Sequence, residues 1–95
     1  MNSDNAERNA MEVRMNKELH TLLLRTRDRL GLTQAQMAIR YAMTKNTYSD
    51  LEAEKHGFGT LTTVLLLKDQ EDPGAVLDKL SMQLKQSLEA VTILI

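Results

Sequence analysis

Thr33 and Thr44 each stand directly before a short stretch whose apolar residues recur at helical spacing, and only Ala42 and Met43 lie between the first stretch and Thr44. A threonine hydroxyl in that position accepts from the free N–H groups of a first helical turn, so each marks a helix start. The spacing predicts a helix from Gln34 to about Tyr41, with Ala35, Met37, Ala38 and Tyr41 as inner positions. It predicts another from Lys45 to about Glu54, whose apolar side is Tyr48 and Leu51. So short a connection allows only a tight turn, and the two helices must cross closely and steeply. Ala38, with no long side chain, suits the crossing point.

The rest of the chain carries the same helical signature. It has one proline and four glycines, and no stretch alternates apolar and polar residues as a half-buried strand would. Met15, Leu19, Leu22, Leu23 and Leu30 predict a first helix from Met15 to Leu30, with Gly31 as its left-handed cap. Residues 1–14 read as a polar N-terminal arm or an extension of that helix. Lys55 to Gly59 reads as a flexible connector, and Thr60 as the cap of a fourth helix running through Thr63 to Leu67. Pro73 suits the first turn of a fifth. In that last segment Leu77, Leu80, Leu84, Leu88, Val91 and Ile95 form a heptad-like seam. It either closes the monomer core or mates with a second copy; the second reading makes Leu84, Leu88, Val91 and Ile95 a dimer seam. The expected architecture is all-α with five helices, a main unit over residues 15–80 and a helical tail over 81–95.

Composition narrows the function. At 95 residues the chain fits one domain with a modest core. Without cysteine it has no disulfide scaffold, thiolate metal site or cysteine nucleophile. No apolar run approaches the roughly 18–20 residues of a transmembrane helix. Met1 to Asn16 has neither the apolar centre of a signal peptide nor the arginine-rich character of a transit peptide, so the cytoplasm is the expected location. A balance of 12 Lys and Arg against 13 Asp and Glu, net −1, argues against strong non-specific binding to nucleic acid. The charges are segregated, however: residues 8–56 carry nine bases against six acids, between acidic ends. A basic middle permits a selective duplex reader, although ordinary solvated helix faces give the same balance.

The run Gly31-Leu32-Thr33-Gln34-Ala35-Gln36-Met37-Ala38, followed by Thr44-Lys45-Asn46-Thr47-Tyr48-Ser49-Asp50-Leu51-Glu52, resembles the helix–turn–helix of Cro and phage-repressor-type regulators, the XRE-like family. The resemblance covers about Leu19 to Leu80. It implies a five-helix, lambda-repressor-like DNA-binding domain with a C-terminal helical extension, in a bacterial or phage setting. The implied function is a transcriptional regulator, expected to be a repressor, bound to double-stranded DNA as a homodimer. By the same resemblance Lys45, Asn46 and Asp50 face base edges, and Gln34, Thr44 and Ser49 lie at phosphates. Arg27 and Glu52 match a structural salt bridge between the first and third helices. Leu23, Leu32, Met37, Ala38, Tyr48, Leu51, Leu61 and Val64 match core positions. The side-chain chemistry agrees: Asn pairs with adenine N6 and N7, Lys donates to guanine O6 and N7, and Asp accepts from cytosine N4. Two residues depart from the family pattern. Ala42 stands where many members have glycine, and Asp50 puts a negative charge on the presumed DNA face, close to Glu54.

No catalytic or metal-binding set emerges beside these residues. His20 reads as a surface or half-buried residue of the first helix, and Ser81 and Ser87 have no histidine or acid arranged with them. Glu52 and His56, one helical turn apart, lack a third ligand. The chain is not expected to be an enzyme, nor to need a cofactor or metal. The second hypothesis is a protein-interaction module of the same fold. In that case an antitoxin-like chain offers its acidic, apolar C-terminal half to a toxin or a sensor protein.

Overall fold

A computed structural model describes residues 3–94, with side chains described over 6–86. Five α-helices follow one another: α1 (Ser3–Leu30), α2 (Gln34–Arg40), α3 (Lys45–Glu52), α4 (Thr60–Lys68) and α5 (Pro73–Leu94). No strand occurs among the described residues, and the fold is all-α. α1 includes Ser3 to Arg14 ahead of Met15, so residues 3–14 extend the expected helix. Over residues 6–14 the added turns face solvent almost throughout, with Val13 57% exposed and an Arg8–Glu12 contact of 3.4 Å one turn apart. α1 and α5 run through residues 14/15 and 80/81 without a break, so the expected segment limits fall inside helices.

Three helices end in one hydrogen-bond pattern. After α1, Gly31 N–H bonds Asp28 O at 3.1 Å and Leu32 N–H bonds Arg27 O at 3.3 Å. After α2, Ala42 N–H bonds Ile39 O at 3.2 Å and Met43 N–H bonds Ala38 O at 2.9 Å. After α3, Glu54 N–H bonds Leu51 O at 3.1 Å and Lys55 N–H bonds Asp50 O at 2.9 Å. Each is a Schellman motif, which needs a left-handed residue just past the helix. Gly31 fills that place at φ 66°, but Ala42 and Glu54 do so at φ 57° and 59°. A Cβ in that conformation costs about 1–2 kcal/mol. Ala42 and Glu54 therefore carry strain that a glycine would not.

Helix starts follow side-chain chemistry. Thr33 caps α2 in a reciprocal box: its Oγ1 accepts from Gln36 N at 3.2 Å, and Gln36 Oε1 accepts from Thr33 N at 2.9 Å. Thr44 Oγ1 accepts from Thr47 N at 3.1 Å. Asp72 Oδ1, ahead of Pro73, accepts from Ala75 N at 3.0 Å. At α4 the cap is Gly59 and Thr60 is the first helical residue, a correction to the expected start. Gly59 has no side-chain acceptor to offer; Thr63 Oγ1 donates back to Gly59 O at 2.8 Å.

The core lies where α1, α2, α3 and α4 converge: Leu19, Leu23, Met37, Ala38, Tyr41, Tyr48, Leu51 and Leu66 are buried. Leu22, Leu32, Phe58 and Leu80 pack around them. Buried Thr26 is satisfied on both sides, donating to Leu22 O at 2.8 Å and accepting from Gln70 Nε2 at 3.0 Å. Three expected inner positions are corrected. Ala35 is exposed, because Met37, Ala38 and Tyr41 already fill the inward side of α2. Leu61 and Val64 are 63% and 55% exposed, not core. α4 is apolar on nearly every side, so periodicity could not select its inner face, and Leu66 takes it.

The connector after α3 is not free. Phe58 N–H donates to Asn16 Oδ1 at 2.9 Å, and a Cβ on Gly57 would come within 2.8 Å of Asn16 Nδ2. Val76 and Leu80 of α5 face α1 across a cavity of about 210 Å³. Leu77 and Leu84 point elsewhere, 48% and 37% exposed. Leu88, Val91 and Ile95 lie outside the residues whose side chains are described. No described helix is long and apolar enough to cross a membrane.

Candidate nucleic-acid interface

α3 buries Tyr48 and Leu51 and turns the opposite side outward. Asn46, Ser49, Asp50 and Ala53 follow the spacing of a single helix face, with Lys45 on its flank. Lys45, Asn46 and Ala53 are exposed, Ser49 and Asp50 half-buried. The stripe is short, polar and free of bulky groups.

Behind it sits Glu52, whose side chain is 7% exposed. Its carboxylate accepts from Arg27 Nε at 2.7 Å and Arg27 Nη2 at 3.2 Å. It also accepts from Gln34 Nε2 at 2.9 Å and Tyr48 OH at 2.5 Å. Arg27 and Glu52, paired by the resemblance, are thus in contact, and two further donors share the same carboxylate. Burial works to raise the Glu52 carboxyl, but the bonds from Tyr48, Gln34 and Arg27 prevail and hold it below the usual range. Burial and the Glu52 carboxylate together push the Tyr48 phenol far above its ordinary value. His20 on α1 donates from Nε2 to the Glu52 carbonyl at 2.7 Å. His56 faces Thr47 O with Nε2 and Gly57 O with Nδ1, both at 3.2 Å. α3 is fastened from α1, from α2 and from the connector.

Two of the three residues expected at phosphates, Gln34 and Thr44, have internal duties. Gln34 is half-buried with its amide on Glu52. Thr44 is engaged as acceptor and donor: it caps Thr47 N and donates to Thr47 Oγ1 at 2.9 Å. Ser49 lies half-buried on the outward stripe. Among the base-facing candidates, Lys45 makes no ion pair with a described residue, while Asp50 Oδ1 lies 3.5 Å from Lys55 Nζ. The Glu54 carboxylate, which the sequence places close to Asp50, lies instead 3.6 Å from His20 Nδ1.

Part of the basic middle is structural. Arg40 grips Asp69 through two bonds, Nε to Oδ2 at 2.9 Å and Nη2 to Oδ1 at 2.5 Å, and Arg29 donates to the Asp69 carbonyl. Those bonds hold the Asp69 carboxyl below the usual range against the effect of its burial. Arg27, Arg29 and Arg40 therefore tie helices together, and the cations beside the α3 stripe are Lys45 and Lys55. Sequence reasoning missed Asp69, Lys55 and Asn16; each acts through a neighbour remote in sequence or reached by a reversal of the chain, which no local spacing signals. Among the described residues no group of three or more His, Cys, Asp or Glu is placed to hold a metal ion. No family model, curated protein or solved structure matches the chain.

Proposed function

We propose that the chain is a sequence-specific reader of double-stranded DNA, a transcriptional regulator of the Cro and phage-repressor type that acts as a repressor in a bacterial or phage setting. The observation that carries this reading is the outward stripe of α3: hydrogen-bonding side chains without bulk, on a short helix held rigidly from behind. Such a helix fits a major groove, where base edges offer a distinct pattern of donors and acceptors. In this reading α2, its turn and α3 are a lambda-repressor-like helix–turn–helix, and Lys45, Asn46 and Asp50 meet bases. Gln34 keeps a second amide hydrogen for a phosphate. With the Thr44 hydroxyl engaged as a cap, the first N–H groups of α3 take its place at the backbone. Two copies would seat two such helices about 34 Å apart, joined through α5.

A band-shift series on the chain's own upstream DNA tests the reading. Affinity should fall steeply with salt, because each phosphate contact releases counterions. Lys45→Ala should relax base preference, and Gln34→Ala should weaken binding to all sequences alike. No shift at about 50 mM salt, where phosphate contacts bind most strongly, overturns the proposal. The apolar exposure of Leu61, Val64, Leu77 and Leu84 favours a second reading, a protein-interaction module whose partner is a toxin or a sensor protein.

A further inference from the structure

The outward stripe of α3 carries one carboxylate, Asp50, and the chain that follows is bent so as to bring a cation against it. In a continued α-helix a residue five positions on lies about 140° round the axis. Here Glu54 takes the left-handed conformation at φ 59°, and Lys55 N–H turns back to Asp50 O at 2.9 Å. That reversal sets Lys55 Nζ 3.5 Å from Asp50 Oδ1 and sends the Glu54 carboxylate away to His20 on α1. The two side chains remain 69% and 46% exposed. A pair so solvated adds little to folding, and the end of α3 is already closed by its backbone bonds. The left-handed turn that closes α3 thus also sets a cation beside the carboxylate of the stripe.

We propose that Lys55 is a positioning residue for base recognition: it offsets and orients the Asp50 carboxylate so that Asp50 accepts from the exocyclic amino group of a cytosine in the major groove. This rests on the duplex-reading function above and deepens it. An ionised carboxylate only accepts hydrogen bonds, and the major groove offers two amino donors, cytosine N4 and adenine N6. Adenine sets its N7 acceptor beside the amino group, where it repels a carboxylate; cytosine does not. Unpaired, Asp50 would also be repelled by the phosphates on either side of the groove. With Lys55 beside it, the stripe and its flank carry Lys45 and Lys55 against a single acid, a balance that favours approach.

Selection from a randomised duplex pool, using the full chain, tests this. The wild type should enrich cytosine at one position. Asp50→Asn should lose that preference by roughly tenfold or more, the size of one good base contact, and turn towards adenine, with other positions unchanged. Lys55→Gln should erode the same cytosine preference in the otherwise wild-type chain and alter no base preference when combined with Asp50→Asn. If Lys55→Gln weakens all duplexes equally and leaves the cytosine preference intact, Lys55 is a plain phosphate contact and the proposal falls. It also falls if Asp50→Asn keeps the preference. A wild type that binds no duplex at low salt overturns this inference together with the DNA-reading function, whereas a wild type that binds with either failed variant overturns the inference alone.

Discussion

Glu52 gathers hydrogen bonds from Arg27 on α1, Gln34 on α2 and Tyr48 on its own helix, so one carboxylate joins three helices. Removing one partner of such a cluster leaves the others buried and unpaired, which costs more than the pair contributes in place. Glu52→Ala should therefore destabilise the fold by about 3 kcal/mol, read as a lower urea midpoint with an unchanged slope. Glu52 and Asp69 are both held below their ordinary range when folded. The unfolded chain thus binds more protons in acid, and the stability they confer is full above about pH 5 and lost as pH falls through their folded values. Urea midpoints followed down to pH 3 should show that loss, and Glu52→Gln should flatten it; a wild-type midpoint independent of pH would refute the arrangement. The Arg27–Glu52 pair was legible because the motif implies it. The shares of Gln34 and Tyr48 were not, because both depend on how closely α2 and α3 cross.

At the scale of elements, caps and stops decide most of the architecture. Thr33, Thr44 and Gly31 were legible from side-chain chemistry alone, and all three act as expected. Ala42 is, with Glu54, a costly exception. The Ala42 φ of 57° suits glycine, so Ala42→Gly should raise stability by about 1 kcal/mol, or the melting temperature by roughly 4–8 °C in a domain of this size. A melting temperature unchanged or lowered in calorimetry would contradict the strain. α4 supplies the opposite lesson. Leu66→Ala should cost about 2–5 kcal/mol, while Leu61→Glu should change monomer stability by less than about 0.5 kcal/mol. Equal losses in chemical denaturation would restore Leu61 to the core. Apolar residues all round a short helix carry no directional information, so the choice between Leu61 and Leu66 belongs to the neighbours.

The whole molecule is elongated, with extents of 46 × 30 × 18 Å and a radius of gyration of 14.9 Å. A compact chain of this length would have a radius of roughly 12 Å. A 28-residue α1, about 42 Å long at 1.5 Å per residue, accounts for the long axis. By itself the sequence determined the helical class, the five elements, most of their ends and the greater part of the core, because helix periodicity and capping are local properties of the chain. It also located the polar stripe of α3, since residues one turn apart must share a face. Only the tertiary structure decided how the charges are used. Within the basic stretch of residues 8–56, Arg27 is taken up by Glu52 and Arg40 by Asp69 from outside it, Glu54 faces α1, and Lys55 faces Asp50. Charge counts are additive along a chain, whereas an ion pair depends on the approach of two atoms in space, and that approach is set by helix crossings and left-handed turns.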